Sequence, residues 1–421
     1  MPLLAIEVEE MIIDQVALVQ EPTTSPLSNR QWVPRSRSLQ WGSLNFNEKG
    51  AFHFLCRFLD LVESGHGTIA PHVRRISLPL YEANETSDEH RLPDGMRPAL
   101  TRIFVRVLLP LSRLRSIIIY GISTSRVEGE VVANALLSLT QLRSLELGNL
   151  ILDSFAVLQE IVASCSGLQN LYVYRLSEKS ERTNPPPPPR PPRPSPSLKL
   201  LSIVDCTFIV RLLAWIGEGE QVSQPGFICV GTNDAYKHQR RFGSFLRNMG
   251  PALKALCINE NPNARGDTPP VGVLSREHIN LQHNPEIEVV TLSRCTHQTV
   301  RRNTLALLHQ VSSSRIREVN ISFYAVTGDG LHMQLLLNLH RRGLADLDDH
   351  LQKPNFAGLE ALTVGLPQGH PGTLDTMAPY FPRTAARGLL RVMDIATMER
   401  SVTTGKGAVW VEHACCADVE M

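Results

Sequence analysis

The segment Leu142-Arg143-Ser144-Leu145-Glu146-Leu147 carries leucine at its first, fourth and sixth positions, with polar residues between them. Its last positions alternate between apolar and polar, which is the two-residue period of a β-strand that buries one face. The segment therefore predicts a short strand whose leucines point into a core.

The same six-residue frame recurs along the chain with aliphatic substitutions. Copies begin at Val73, Leu114, Leu142, Leu168, Leu198, Leu253, Ile287, Ile316 and Leu359. A weaker copy places Leu390, Met393 and Ile395 at the three apolar positions, and residues 227–230 form a short additional strand. Starts at 114, 142, 168 and 198 are 28, 26 and 30 residues apart, which is the period of leucine-rich repeats.

Helix-like stretches lie between the predicted strands. Phe155, Leu158, Ile161 and Val162 share one helical face behind Ser154, a candidate N-cap. Strands and helices that alternate at this period bury their apolar faces by stacking on their neighbours. The pattern predicts an α/β leucine-rich-repeat-like solenoid with parallel strands on a concave face and helices on a convex face. Ordinary βα units of an open sheet are the alternative.

One further position of the repeat supports this interpretation. In leucine-rich repeats the residue eight places after the first leucine turns inward, and it is typically Asn or Cys. Here Cys206, Asn261 and Cys295 occupy that position in three copies, while the others carry different residues. Buried, unpaired cysteines are therefore expected without any redox role.

The charge balance limits the kinds of partner. Lys and Arg number 42 and Asp and Glu 41, a formal net charge of +1. Nucleic acids and anionic membranes both attract a concentrated basic face, so neither is predicted as a partner. No apolar run reaches the ~18–20 residues of a membrane span, and the first residues lack a secretory signal. We expect a cytoplasmic protein, with the nucleus as the alternative.

Sequence signatures of catalysis are absent. The chain contains no G-x-S-x-G, no H-E-x-x-H, no phosphate-binding loop and no G-x-G-x-x-G after a strand. The 8 cysteines and 14 histidines follow no metal-ligand or nucleophile–base spacing. The sequence predicts a binding protein and not an enzyme, with no catalytic residue, metal or cofactor.

The residues before the first repeat follow a different pattern. Residues 4–14, LAIEVEEMIID, form a short amphipathic segment, and residues 30–37, RQWVPRSR, set one tryptophan among basic residues. Together they resemble the F-box of the large mushroom-type (basidiomycete) fungal F-box family. There, a motif like L-P-x-E-x-x-x-x-I-I-D opens the box and W-L-P-x-(S/A)-R closes it. Residues 58–61, 68–78 and 245–256 are similar to the same family, so the resemblance covers about residues 4–395.

This resemblance implies a function. Such proteins are substrate-recognition subunits of SCF-type ubiquitin ligases, in which the box binds a Skp-type adaptor and its cullin complex. The positions that match the adaptor-binding box are Leu4, Ile6, Glu7, Ile12, Ile13, Trp32 and Pro34. The chain departs from the family at Ala5, where proline is usual, and at residues 20–28, whose two prolines replace an apolar helix. A repeat scaffold uncoupled from any ligase by decay of the box is the alternative.

A protein target is predicted to bind the concave strand surface. Outward residues lie between the buried ones, and those selected as target-binding are Glu146, Asn170, Tyr172, Tyr174, Glu318 and Asn320. Tyr172 and Tyr174 are the preferred anchors, because tyrosine combines a large contact area with a polar tip. The sequence does not identify the target.

Three regions are predicted along the chain. Residues 1–47 form the F-box-like helical segment, residues 48–399 the solenoid, and residues 400–421 a tail or cap. Residues 178–197 are a proline-rich insertion whose core, 184–196, reads NPPPPPRPPRPSP and favours polyproline II. It is a candidate ligand for polyproline-binding domains. A loop inserted on the rim of the array is the favoured interpretation.

Overall fold

Short parallel strands, most of them followed by a helix or a turn, build the chain. The computed structural model describes residues 41–46, 51–63, 70–79, 111–121, 136, 139–152, 154–178, 198–217, 225–231, 235, 238–259, 278–295, 304–323, 343–366 and 374–394. The chain divides into unit 1, Met1–Leu198, and unit 2, Lys199–Met421. In these ranges no helix is long and apolar enough to cross a membrane.

The described part of unit 1 contains a row of five parallel strands. Its elements are β1 (Ser43–Asn45), α1 (Ala51–Glu63), β2 (Arg75–Pro79), β3 (Ser116–Tyr120), β4 (Ser144–Gly148), β5 (Ile151–Leu152), α2 (Phe155–Ser164), β6 (Asn170–Tyr174) and β7 (Ser177–Glu178), with a 3-10 turn at Ala70–His72. The strands pair in the order β1-β2-β3-β4-β6. A separate parallel pair joins β5 and β7.

Unit 2 has the same design, with seven strands among its described residues. Its strands are β8 (Leu200–Val204), β9 (Phe227–Gly231), β10 (Ala255–Asn259), β11 (Val289–Cys295), β12 (Glu318–Phe323), β13 (Ala361–Leu366) and β14 (Leu390–Asp394). Its helices are α3 (Ile209–Gly217), α4 (Gln239–Met249), α5 (Leu305–Leu308), α6 (343–350), α7 (Leu374–Met377) and α8 (Pro382–Ala386). Short 3-10 turns occupy Gly250–Ala252, Leu281–His283, Pro354–Phe356 and Ala378–Tyr380. All seven strands pair in parallel, in chain order.

The fourth residues of the frame copies from Val73 to Leu359, together with Ile228 of the additional strand, form the centre of the core. These residues are direct neighbours across the strands and are 0% exposed. In unit 1 they are Ile76, Ile117, Leu145 and Leu171, and in unit 2 Leu201, Ile228, Leu256, Val290, Val319 and Leu362. The predicted strand frame, including the extra strand at 227–230, is confirmed. The protein is an α/β leucine-rich-repeat-like solenoid.

A left-handed residue closes several strands and links neighbouring repeats. Positive φ angles of 80°, 54°, 48° and 55° occur at Gly121, Asn149, Arg175 and Asp205, each seven places after the first residue of its frame. The backbone N–H of Asn149 donates to the carbonyl of Tyr174 at 2.8 Å. The next residue turns inward, and the predicted burial of Cys206 and Cys295 is confirmed. Asn261 lies outside the described residues.

The last repeat differs from the prediction by three residues. Leu362 pairs with Leu390 and Val364 with Val392, so Leu390 occupies the fourth frame position and not the first. The first position belongs to Arg387, which is exposed at the end of α8. Gly388, at a φ of 71°, turns the chain directly into β14.

Helix α2 confirms the predicted apolar face but not the predicted cap. Phe155, Leu158, Ile161 and Val162 are all buried. Ser154 stands at the N-cap position, but its side chain makes no capping hydrogen bond. Instead the Phe155 N–H donates to the Glu178 carboxylate at 2.9 Å, so a side chain of the neighbouring repeat caps the helix.

The sheet of unit 1 begins earlier than the predicted solenoid boundary. Residues 43–45, within the predicted N-terminal helical segment, form β1 and pair in parallel with β2. Helix α1 follows, and Leu55, Phe58 and Leu59 bury its apolar face. Phe46 lies against Phe58, with ring centroids 5.7 Å apart. A strand and an amphipathic helix therefore precede the first copy of the frame.

Candidate functional site

Each inward-pointing frame residue leaves its neighbours on the opposite side of the sheet. In β3, β4 and β6 of unit 1 these neighbours form three aligned rows, which we call the strand face. The rows are Ser116, Ser144 and Asn170; Ile118, Glu146 and Tyr172; and Tyr120, Gly148 and Tyr174. The predicted target-binding residues Glu146, Asn170, Tyr172 and Tyr174 therefore lie together on two adjacent strands.

A buried tyrosine–glutamate pair occupies the middle of the strand face. The Tyr120 hydroxyl donates to the carboxylate of Glu146, and both side chains are buried. The Tyr120 ring lies over Gly148, where an added Cβ would overlap the ring. Glycine at this position is thus required for the ring to reach Glu146. Glu146 is held by a hydrogen bond within the sheet.

Asn170 and Tyr174 are the more accessible of the predicted residues. Both are half-buried, whereas Tyr172 is 6% exposed. The guanidinium of Arg175 lies 4.8 Å from the centroid of the Tyr174 ring, within the range of a cation–π contact. That contact orients the Tyr174 ring at the end of β6. Target binding by these residues stays a prediction.

In unit 2 the corresponding middle row consists of small side chains. Ser202, Cys229, Cys257, Thr291, Asn320 and Thr363 are neighbours across β8 to β13, and all are buried. The Asn320 amide donates to the Thr291 hydroxyl at 3.3 Å, so its hydrogen bond lies within the sheet. Glu318 is half-buried at the start of β12. Roles for Glu318 and Asn320 in binding a target stay predictions.

Several predicted features lie outside the described residues. They comprise the adaptor-binding residues Leu4, Ile6, Glu7, Ile12, Ile13, Trp32 and Pro34. The core of the proline-rich insertion, 184–196, and the tail, 400–421, also lie outside.

The second frame position of unit 1 forms a basic row that the sequence interpretation missed. Arg74, Arg115 and Arg143 occupy it in three successive copies, and we call them the arginine row. All three side chains are exposed. Their backbones stack, since the Arg115 N–H donates to the Arg74 carbonyl at 2.8 Å and the Arg143 N–H to the Arg115 carbonyl at 2.8 Å. Among the described residues, no acidic side chain forms an ion pair with the row.

The same row of unit 2 alternates in charge. Lys254 lies 3.9 Å from Glu288, and Arg317 lies 3.9 Å from Glu360. Backbone hydrogen bonds of 2.8 Å link Glu288 to Lys254 and Arg317 to Glu288, as in unit 1. The arginine row of unit 1 could have been found in the sequence, because each of its arginines directly follows the first aliphatic residue of its frame copy.

The buried thiol of Cys165 is unreactive. Burial raises the pKa of Cys165 to about 12, and its Sγ lies 3.4 Å from the Ile161 carbonyl. A thiol with so high a pKa holds almost no thiolate near neutral pH, and the thiolate is the reactive form. Within the described ranges, no group of three or more His, Cys, Asp or Glu side chains could hold a metal ion.

His350 is a buried imidazole near two other basic groups. It is 4% exposed, and its ring centroid lies 4.1 Å from that of His309 and 5.4 Å from that of Phe356. Lys353 Nζ lies 3.5 Å from His309 Nδ1. Together, burial, which has the largest effect, and the charges of His309 and Lys353 lower the pKa of His350 from 6.5 to about 4, against a smaller opposing effect of a hydrogen bond with the Leu308 backbone.

This lowered pKa makes stability depend on pH. The unfolded chain binds a proton at His350 more readily than the folded chain, so the contribution is complete above pH 6.5 and is lost as pH falls towards 4. At pH 5 the loss amounts to about 2 kcal/mol. In His350→Leu, the decrease in unfolding free energy between pH 7 and pH 5, measured by urea denaturation, is expected to shrink by about that amount. His283→Leu, at an exposed position, is the control; equal decreases in both variants would contradict the assignment.

Comparisons with known proteins add similarities of fold only. No protein-family model and no curated protein sequence matches the chain. Among solved structures it is similar to TLR13 in complex with ssRNA13, with 13% identity and a TM-score of 0.36, over 72% of this chain but 37% of that one. It is also similar to a chain of the Rad7–Elc1 complex in yeast, with 12% identity and a TM-score of 0.33, over 93% of both.

A third similar structure is the internalin InlF of Listeria monocytogenes, with 11% identity and a TM-score of 0.22, over 65% of this chain and 80% of that one. Identities and TM-scores this low assign neither a family nor an activity. The repeat frame itself, with its buried and aligned aliphatic positions, identifies the chain as a leucine-rich-repeat-like solenoid.

Proposed function

We propose that the chain is a protein-binding repeat scaffold and that unit 1 supplies the contact surface. The observation that carries the proposal is the strand face, where parallel strands hold Asn170, Tyr172, Tyr174 and their neighbours in fixed register. Tyr174 and Asn170 stay half-exposed on this rigid sheet, so they can contact a partner at little cost in conformational entropy. Stacked repeats offer an extended surface of this kind, which suits a protein partner.

We further propose that the scaffold is the substrate-recognition subunit of an SCF-type ubiquitin ligase. Support comes from the F-box resemblance of residues 4–14 and 30–37, which precede the first described strand at Ser43. In this arrangement the N-terminal segment binds a Skp-type adaptor and the repeats present the target. A scaffold uncoupled from any ligase is the second candidate, favoured by the two prolines within residues 20–28.

Direct binding to a purified Skp-type adaptor distinguishes the two candidates. We expect the full chain to bind the adaptor at micromolar concentration in biolayer interferometry. The double variant Ile12→Ala/Trp32→Ala should lose this binding while its circular dichroism spectrum stays unchanged. Tyr174→Ala is the matched control, since it lies on the strand face and should bind the adaptor normally. Absence of binding by a folded wild-type chain would exclude the ligase role and leave the uncoupled scaffold.

A further inference from the structure

We infer that the arginine row, Arg74, Arg115 and Arg143, binds a carboxylate-rich, extended segment of a protein partner. The inference deepens the proposed protein-binding function and rests on it, because it names the chemistry of the partner. It does not depend on any coupling to a ligase.

The geometry of the row suits a linear anionic ligand. The three arginines precede β2, β3 and β4, which are adjacent parallel strands. Neighbouring strands are ~4.8 Å apart, so the row extends over about 10 Å along one edge of the strand face. Arg113 is also exposed, and Arg75 is half-buried beside Arg74. Each guanidinium offers a planar fork of donors that binds a carboxylate through two hydrogen bonds.

The positive charges of the arginine row favour binding of an anionic partner. Like charges on directly neighbouring strands destabilise a sheet. In unit 2 the residues at the same frame position alternate in charge, and this avoids the repulsion between like charges; they are Lys254, Glu288, Arg317 and Glu360. Among the described residues of unit 1, no acidic side chain forms an ion pair with the arginine row. A bound anionic segment would supply the missing negative charges, which makes the row a candidate contact site and not only a solvated edge.

An acidic peptide fits the row better than a nucleic acid. An extended peptide places alternate side chains on one face about 6.5–7 Å apart, within reach of long arginine side chains on strands ~4.8 Å apart. Nucleic-acid binding needs a broad basic face that neutralises many phosphates. The row is a single line of three with Arg75 and Arg113 beside it, and the chain as a whole carries a net charge of only +1.

The test uses the full chain and a fluorescein-labelled seven-residue peptide that alternates serine and glutamate. Fluorescence anisotropy in 50 mM salt should show saturable binding, and a peptide with glutamine in place of glutamate should not bind. Arg115→Glu should weaken binding at least tenfold and melt no lower than wild type, because it recreates the alternation of unit 2. Arg317→Ala is the matched control at the same frame position, and it should change the affinity less than twofold.

Three results would overturn the inference. The first is absence of saturable binding of the peptide to the wild-type chain, and the second is an unchanged affinity in Arg115→Glu. The third is a single-stranded DNA heptamer that displaces the peptide at lower concentration than unlabelled peptide does. Because no adaptor is present, failure here is separable from failure of the ligase proposal. Peptide binding without adaptor binding would refute the ligase role alone, and adaptor binding without peptide binding would refute the arginine row alone.

Discussion

Replacing Asp348 with alanine is expected to lower the free energy of unfolding by about 3 kcal/mol. Asp348 lies in α6 and is 1% exposed. Its carboxylate accepts hydrogen bonds from the Arg383 N–H at 2.8 Å, from the Thr384 N–H at 2.9 Å and from the Thr384 hydroxyl at 2.5 Å. These N–H groups begin α8, so a carboxylate of one repeat caps the helix of the next.

The loss is large because three donors remain without an acceptor. Thr384 is 0% exposed, so water does not replace the carboxylate there without structural change. Asp348→Asn is expected to lose less, since its amide oxygen can still accept from Thr384. Urea denaturation followed by circular dichroism at 222 nm measures each change.

Asp349→Ala is the matched control for this prediction. Asp349 is adjacent in sequence, but its ion pair with Arg383, at 3.3 Å, joins side chains that are 61% and 62% exposed. Such surface pairs contribute little, and we expect a change below about 0.5 kcal/mol. Equal effects of the two substitutions would show that the buried carboxylate does not hold α8 in place.

Replacing Gly243 with alanine is expected to cost about 3 kcal/mol, although alanine is normally the better residue in a helix. Gly243 lies within α4 and is buried. An added Cβ would overlap the carbonyl oxygen of His278 and lie 2.7 Å from its carbonyl carbon. These obstacles are backbone atoms, so no side-chain rotation relieves the overlap. Helix α4 must move away from residues 278–279, which disrupts the packing of Phe242 and Leu246.

Gly226→Ala separates this steric effect from the general effect of removing a glycine. A Cβ at Gly226 would come no closer than 3.6 Å to its nearest neighbour, the Ala252 carbonyl oxygen. We expect this variant to be neutral or slightly stabilised, because alanine restricts the unfolded chain. Measuring the melting temperatures of Gly243→Ala and Gly226→Ala compares the two effects. A melting temperature of Gly243→Ala at or above that of Gly226→Ala would contradict the close approach.

The alternation of apolar and polar residues was sufficient to predict most of the sheet. Leu145 and Leu147 are buried on β4 because a two-residue period places both on one side of the strand. The left-handed residue after the strand was less visible in sequence. Gly121 and Asn149 suit a positive φ, but Arg175 adopts it without any compositional signal.

The ends of the array were harder to predict, because neighbouring elements and not local sequence determine them. Strand β1 is three residues long, and β2 provides its pairing. The register of β14 follows from the turn at Gly388, although the apolar pattern of Leu390, Met393 and Ile395 favours placing Leu390 at the first frame position. Local hydrophobicity alone does not determine the register of this strand.

In the candidate site, too, local periodicity predicted some features, and contacts between distant residues determined the others. Alternation correctly placed Glu146, Tyr172 and Tyr174 on one face, since that follows from strand periodicity. The burial of Glu146 was not predictable, because it depends on Tyr120, 26 residues away, reaching across Gly148. Tyr120 and Glu146 come into contact only because the register of β3 and β4 places them close together.

The constant register has a consequence for how such chains diversify. Frame starts are 26 residues apart from Leu142 to Leu168 and 43 apart from Ile316 to Leu359. Both steps nevertheless place fourth-position residues directly opposite each other. The length of a connection is therefore uncoupled from the geometry of the strands. Insertions and deletions between strands can therefore accumulate over evolution, or be introduced by engineering, without changing which residues pair across the strands.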